Sequence, residues 1–343
     1  MKAAVIGAGS WGTALAQVLA QNNVPVHLWA RRETLAKDIK EHEENREYLP
    51  GAKLLPNIHI SSDLEESLNN ADLVVMALPS HTMSKMIKTS YKYLKKGVIV
   101  VSASKGLDLE SLRRMSEVLS DEIPKEITSN IAVISGPTHA EEVVRGLPTA
   151  VVVASNKKDV AENVQDVFMN SNFRVYTNPD VIGVELGGAF KNIIAICSGI
   201  SDGLNFGDNS RSALMTRGMV EITRLGIRLG ANAATFAGLS GIGDLIVTCS
   251  SNFSRNRRAG IEIGRGRDIK DIINSTQMVI EGINTTKAAY QLAKRLNIEM
   301  PITEQAYEVL FCQKDPKEAV TCLMTRKGKH EIEDIVSFKK CGW

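Results

Sequence analysis

The chain has almost no charge imbalance. Its 41 Lys and Arg residues are nearly cancelled by 39 Asp and Glu, leaving a formal +2 over 343 residues, so no general attraction to nucleic acid or to a membrane surface is expected. Cysteine is sparse: Cys197, Cys249, Cys312, Cys322 and Cys341 are odd in number and show no Cys-x-x-Cys pairing or His-rich company. That argues against a disulfide framework or a metal site and suits a reducing cytoplasm. No uninterrupted apolar stretch approaches the ~20 residues of a spanning helix. Low-complexity linkers and internal repeats are also missing, which leaves a globular chain of about two domains by length.

What is present is glycine at informative spacing. Gly7-Ala8-Gly9-Ser10-Trp11-Gly12 follows the apolar run Ala3-Ala4-Val5-Ile6 and leads into the alanine- and leucine-rich Thr13 to Ala20. A G-x-G-x-x-G motif alone is a weak signal, but a strand before it and a helix after it are the setting that a dinucleotide site requires. Gly7 then makes the turn, Gly9 lets the backbone approach a pyrophosphate, and Gly12 lets helix and strand pack closely. A secretory signal is the first competing reading, since Ala14-Leu15-Ala16 imitates a cleavage site. Three glycines in the apolar run and a single Lys2 before it make a poor one. The second is a Gly-rich turn without a nucleotide.

The first half alternates short β-branched runs with polar, helix-length segments, the pattern of a mostly parallel sheet with crossover helices. Strands are expected at Ala3 to Ile6, Val26 to Trp29, Ile58 to Ile60, Leu73 to Leu78, Val98 to Val101, Ile131 to Ser135, Thr149 to Val153 and Arg174 to Tyr176. From about Val181 the apolar spacing becomes helical, as in Met278 to Leu296. The expected fold is therefore α/β: an N-terminal Rossmann-type doubly wound sheet over residues 1–180, an all-α domain over 181–331, and an extension over 332–343. The Asn-x-Ser/Thr sequons at Asn252, Asn274 and Asn284 read as chance matches.

The second strand bears on the cofactor. An NAD-selective site carries an acid about 20 residues past the glycines, to bind the ribose 2′-hydroxyl. Here the strand ends Trp29-Ala30-Arg31-Arg32, and two guanidiniums can hold a 2′-phosphate instead. NADP(H) is expected to be preferred and NAD(H) tolerated, with Glu33 able to restore NAD(H) binding if the register slips.

Two isolated charges mark the second half. Lys191 is the only charged residue between Glu185 and Asp202. Burying an ammonium on so apolar a helix is costly unless it can release its proton, which suits it to acid–base work. The bland alternative is a snorkelling lysine. Asp244 is the only acid from Ile222 to Ile261, in what reads as a tight Gly-Ile-Gly-Asp-Leu turn. It needs a partner, with Lys191 a candidate, or else it caps a helix. Five arginines fall between Arg255 and Arg267, offset only by Glu262; they can clamp a phosphate or form a solvated basic face. Nucleic-acid binding is disfavoured because only Phe253 supplies an aromatic nearby. Lys105 and the Gly136-Pro137-Thr138-His139-Ala140 turn follow strands, where ligands gather or the chain only connects. His81 and His139 carry no spacing beyond that of exposed or capping histidines.

Taken together, these residues resemble the bacterial NAD(P)-dependent glycerol-3-phosphate dehydrogenases from Met1 to about Glu331. The carriers are Gly7 to Gly12, Ser104-Lys105-Gly106, Ser135 to Thr138, Glu185 to Asn192, Gly207-Asp208-Asn209, Thr216-Arg217-Gly218, Gly243-Asp244-Leu245 and Ser254-Arg255-Asn256. The resemblance implies reversible reduction of dihydroxyacetone phosphate to sn-glycerol 3-phosphate, a glycerophospholipid precursor, in a cytoplasmic homodimer using NADP(H) or NAD(H). It implies that Lys191 is the proton donor and acceptor, with Lys105 and Asp244 beside it in the catalytic set. Gly136, Thr138, Ser254, Arg255 and Asn256 would bind substrate together with Lys105, Lys191 and Asp244. Gly7, Gly9, Ser10, Trp11, Gly12, Arg31, Arg32, Tyr48, Lys105, Ala140, Arg255, Val279 and Glu281 would bind the cofactor, with no metal and no nucleic acid. Thr138 replaces the commoner serine, and His139 an apolar residue. A 6-phosphogluconate or β-hydroxyacid dehydrogenase shares the plan, but Ser10-Trp11 stands where those carry Gly-x-Met or Gly-Leu-Met. A non-catalytic dinucleotide sensor is the other alternative, and Lys191, Asp244 and Arg255 argue against it.

Overall fold

The computed structural model describes residues 1–276, 278–328 and 331. All eight expected strands form: β1 (Ala3–Ile6), β2 (Val26–Trp29), β3 (Ile58–Ser61), β4 (Leu73–Met76), β5 (Ile99–Ser102), β6 (Asn130–Ser135), β7 (Thr149–Ala154) and β8 (Phe173–Asn178). They make one sheet in the order β3-β2-β1-β4-β5-β6-β7-β8. The strands β1 to β6 run parallel. β7 pairs antiparallel with β6, and β8 runs parallel to β7. The link from β6 to β7 holds only the four-residue helix Ala140–Val143, so the chain turns back there instead of crossing over.

Successive side chains of β1 enter opposite faces. Ala3 and Val5 join a cluster with Leu73, Val75 and Val101, whereas Ala4 and Ile6 join one with Val74, Met76 and Val100. Burial on both faces explains why the central strands read as unbroken apolar runs. The helix Ser10–Gln21 contributes Leu15, Val18 and Leu19 to the first face. Strand order reverses between β1 and β4, and the loops after β1, β4, β5 and β6 gather at the carboxyl ends of the parallel strands, where such sheets take ligands.

The described residues divide into two compact units, one of them Met1–Glu185 and the other beginning at Leu186. The division falls inside the helix Val181–Gly203. From that helix onward the described residues contain no strand. Its length and composition would let it cross a membrane, yet 83% of its most apolar window is buried inside the protein. The extension 332–343 lies outside the described residues.

Candidate active site

The turn after β1 is shaped by its glycines. Gly7 has φ +119°, and a Cβ there would lie 2.4 Å from the Ala77 carbonyl oxygen. A Cβ on Gly12 would lie 1.9 Å from the Gly7 carbonyl oxygen, so helix and turn meet backbone to backbone. Gly9 differs: a Cβ there would meet nothing within 4 Å. It caps the helix that begins at Ser10 without a side-chain hydrogen bond. The result is a cradle open at Gly9, in front of helical N–H donors that side chains have not claimed, which fits a pyrophosphate. The indole Nε1 of Trp11 is buried and unpartnered. Asn45, which the sequence does not distinguish from its polar neighbours, is fully buried and donates to the Ala8 carbonyl (2.9 Å) and to Thr13 Oγ1 (2.8 Å).

At the end of β2, Arg32 Nη2 donates to both carboxylate oxygens of Glu47 (2.5 and 2.6 Å) and to the Tyr48 hydroxyl (3.2 Å). The Glu47 hydrogen bond raises the Arg32 pKa, and burial followed by that carboxylate raises Tyr48. Arg31 is exposed and makes no ion pair among the described residues. Glu33 pairs with Lys37 at 2.7 Å on the exposed helix surface.

The loops after β5 and β6 come together through Lys105. Its Nζ donates to the Gly136 carbonyl (2.9 Å) and to Thr138 Oγ1 (3.3 Å), while Ser104 Oγ donates to the Leu78 carbonyl (2.6 Å). Gly136 has φ +142°, and a Cβ would lie 3.0 Å from the Val151 Cα. His139 is the N-cap position of Ala140–Val143 without a side-chain cap bond, and Ala140 is buried. His81 sits in the single turn Ser80–Thr82.

In the second unit, Lys191 and Asp244 form a buried ion pair, their side chains 6% and 1% exposed. Thr248 Oγ1 accepts a second hydrogen bond from Lys191 Nζ at 2.7 Å. Asp244 does not lie in a tight turn: the segment Leu239–Gly243 is a π-helical turn running directly into the helix Asp244–Ser250. This keeps Asp244 and Thr248 on one helix face, four residues apart. Glycine lets that segment approach the lysine helix, since a Cβ on Gly187 would lie 2.6 Å from the Ser240 carbonyl oxygen.

A second close crossing brings in the helix Arg255–Gly264. Cβ atoms on Gly199 and Gly203 would lie 2.1 Å from the Arg257 and 2.4 Å from the Ile261 carbonyl oxygens. Those on Gly260 and Gly264 would lie 2.1 and 2.4 Å from the Ile196 and Ile200 carbonyl oxygens. With the two backbones this close, Asn256 Nδ2 reaches Asn192 Oδ1 (2.8 Å), next to Lys191, and Asn256 Oδ1 accepts from Gly282 N (2.9 Å). Ser254 Oγ caps the helix by accepting from Arg257 N. Arg255 reaches the Val279 carbonyl at 3.1 Å, two residues before the helix that begins at Glu281. The arginine run is not one clamp. Arg257 pairs with Asp202 at 2.7 Å, and Arg265 and Arg267 share Glu262.

Two further buried acids lie outside the site residues expected from the sequence. Glu185 accepts from Arg114 Nη1 (2.7 Å), Ser116 N (2.8 Å) and Ser116 Oγ (2.5 Å), and burial raises its pKa against those donors. Glu221 accepts from Ile302 N and Thr303 N at the start of the helix Pro301–Phe311, and burial pushes its carboxyl up to about 7. Burial likewise pushes the Cys197 and Cys249 thiols up to about 12, leaving them poor nucleophiles.

A glycine cradle at the switch point of a parallel sheet, followed by a helical unit with a buried lysine–carboxylate pair, defines a dinucleotide-dependent dehydrogenase class. Comparison narrows it. Residues 2–161 and 180–321 match the family profiles for the N- and C-terminus of NAD-dependent glycerol-3-phosphate dehydrogenase. The glycerol-3-phosphate dehydrogenase (NAD(P)+) of Moorella thermoacetica is 54% identical over 330 residues, 96% of this chain and 97% of that one. The Bacillus subtilis protein of the same name is 48% identical, covering 98% and 97%. The crystal structure of the Coxiella burnetii glycerol-3-phosphate dehydrogenase superposes with a TM-score of 0.90 at 39% identity, covering 95% of this chain and 99% of that one. The chain belongs to the NAD-dependent glycerol-3-phosphate dehydrogenase family.

Proposed function

We propose that the protein catalyses the reversible reduction of dihydroxyacetone phosphate to sn-glycerol 3-phosphate, supplying the backbone of glycerophospholipids, and that it works as a cytoplasmic homodimer. Residues 1–180 bind the dinucleotide and residues 181–331 carry the substrate chemistry. When bound, NAD(P)H supplies the hydride. The turn Gly7, Gly9, Ser10, Trp11 and Gly12 holds the pyrophosphate, while Arg31, Arg32 and Tyr48 face the adenosine ribose. Ala140, Val279, Glu281 and Arg255 complete the cofactor set, to which Lys105 also belongs. NADP(H) is preferred because Arg31 offers an unneutralised guanidinium at the end of β2.

The observation that carries this reading is the buried Lys191–Asp244 pair braced by Thr248. As the substrate carbonyl becomes an alkoxide, Lys191 Nζ is the proton donor, and it is the base in the reverse direction. Asp244 and Thr248 fix the position of Nζ and keep its charge compensated. Lys105, with Gly136 and Thr138, binds substrate. Arg255, with Ser254 and Asn256, takes the phosphate, so that remote binding energy orients the carbonyl.

The test is NAD(P)H oxidation with dihydroxyacetone phosphate, set against 6-phosphogluconate-type and hydroxyacid substrates. Lys191→Ala is expected to lose about 10²- to 10⁴-fold in kcat while still binding NADPH by fluorescence titration. Near-normal turnover in that variant removes Lys191 from the mechanism.

A further inference from the structure

The end of β2 carries two arginines, yet in this chain one of them is already occupied. Arg32 is held by both oxygens of Glu47, and its Cζ lies 5.9 Å from the centre of the Tyr48 ring. Glu47 does not reach there by a swing of loose chain. Two residues before it, Asn45 is bonded to Ala8 and Thr13 of the phosphate-binding turn and accepts from Tyr48 N. Glu44 bridges to Lys53 and accepts from Gly51 N. The segment that presents Glu47 is thus closed on itself and pinned to the glycine turn. Glu33, the acid nearest in sequence to the strand end, is engaged by Lys37 instead.

We propose that Glu47 sets the balance between the two dinucleotides, by competing with a 2′-phosphate for the guanidinium of Arg32. A phosphate monoester must displace the carboxylate from Arg32 and then sit beside it as a second anion. A ribose 2′-hydroxyl asks for neither, and the Arg32–Glu47 pair stays intact. The pair is half-exposed, at 44% and 31%, so it is weak enough to be broken by the stronger anion. Glu47 therefore narrows a preference for NADP(H) that the two arginines alone would make wide, and lets one chain accept both cofactors. This rests on the placement of the adenosine ribose at the end of β2.

The experiment measures equilibrium binding of NADPH and NADH to the full chain by nicotinamide fluorescence, without substrate. Glu47→Gln, which keeps the shape and removes the charge, is expected to tighten NADPH about fivefold and to change NADH less than about twofold. In an Arg32→Ala background the same substitution is expected to change the NADPH to NADH ratio distinctly less, because only the direct repulsion between Glu47 and the 2′-phosphate is left to remove. Equal changes for both cofactors, or an undiminished effect without Arg32, overturn the proposal while leaving the ribose placement standing. If Arg31→Ala and Arg32→Ala both leave the ratio unchanged, the ribose placement itself fails, and the proposal with it.

Discussion

The two units build their sites from different materials. In the first, the cradle after β1 is backbone: glycines that clear space, a helix N-terminus that offers N–H groups, and exposed charged side chains at the strand end. In the second, the Lys191–Asp244 centre is made of side chains taken almost wholly out of water and balanced against each other. The difference is physical. A dinucleotide brings its own charge and is met by dipoles, whereas proton transfer needs a titratable group at a fixed point, which a buried ion pair supplies at a large desolvation cost.

This contrast can be broken most severely at Asp244. Asp244→Ala leaves the Lys191 ammonium buried without its counter-ion, and a loss of about 3 to 5 kcal/mol in urea unfolding is expected. A loss under about 1 kcal/mol would mean that water reaches the pair, and the contrast with the exposed strand end would collapse. Glu221 gives the next largest effect. Its carboxyl titrates near 7 folded and near its ordinary 4.5 unfolded, so between those values the folded state holds a proton that the unfolded chain has lost. Stability from this group is present below about pH 4.5, falls as pH rises through the window, and is gone above about 7, a change of about 3 kcal/mol. Glu221→Gln should flatten that slope in thermal unfolding across pH 4.5 to 7; an unchanged slope would place the titration elsewhere. The smallest effect on stability belongs to the backbone cradle. Gly9→Ala adds a methyl that touches no protein atom, so its unfolding free energy should move by less than about 0.5 kcal/mol while NADPH affinity drops. A large loss of stability with unchanged affinity would show that Gly9 serves the fold and not the ligand.

Legibility in the sequence follows the same division. The central strands β1, β4 and β5 are readable as short apolar runs buried throughout, the edge strand β8 because buried Phe173 and Val175 alternate with exposed residues, and the glycine turn because its parts are contiguous. Lys191 and Asp244 stand out as single charges in apolar surroundings, but nothing in a separation of 53 residues says that they touch. Thr248 falls in with them only once the supposed turn proves to be a π-helical turn continued by an α-helix. Asn45 and Glu47 are hidden for the opposite reason: they lie in a polar stretch where a structural asparagine and a competing carboxylate look like ordinary surface. Glu221 is disguised by its helix. The glycine pairs at 199/203 and 260/264 share a four-residue spacing that could have announced a close helix crossing.

That crossing has a consequence for how the protein folds. Glycine in a helix interior weakens the helix by about 1 kcal/mol relative to alanine, so neither partner is well supported alone, and both depend on a contact that spans some sixty positions of chain. The two helices should therefore exchange their amide protons as a single cooperative block. Opening one strips the other of its support, and the lysine's surroundings and the Asn192–Asn256 bond are made and lost in one event.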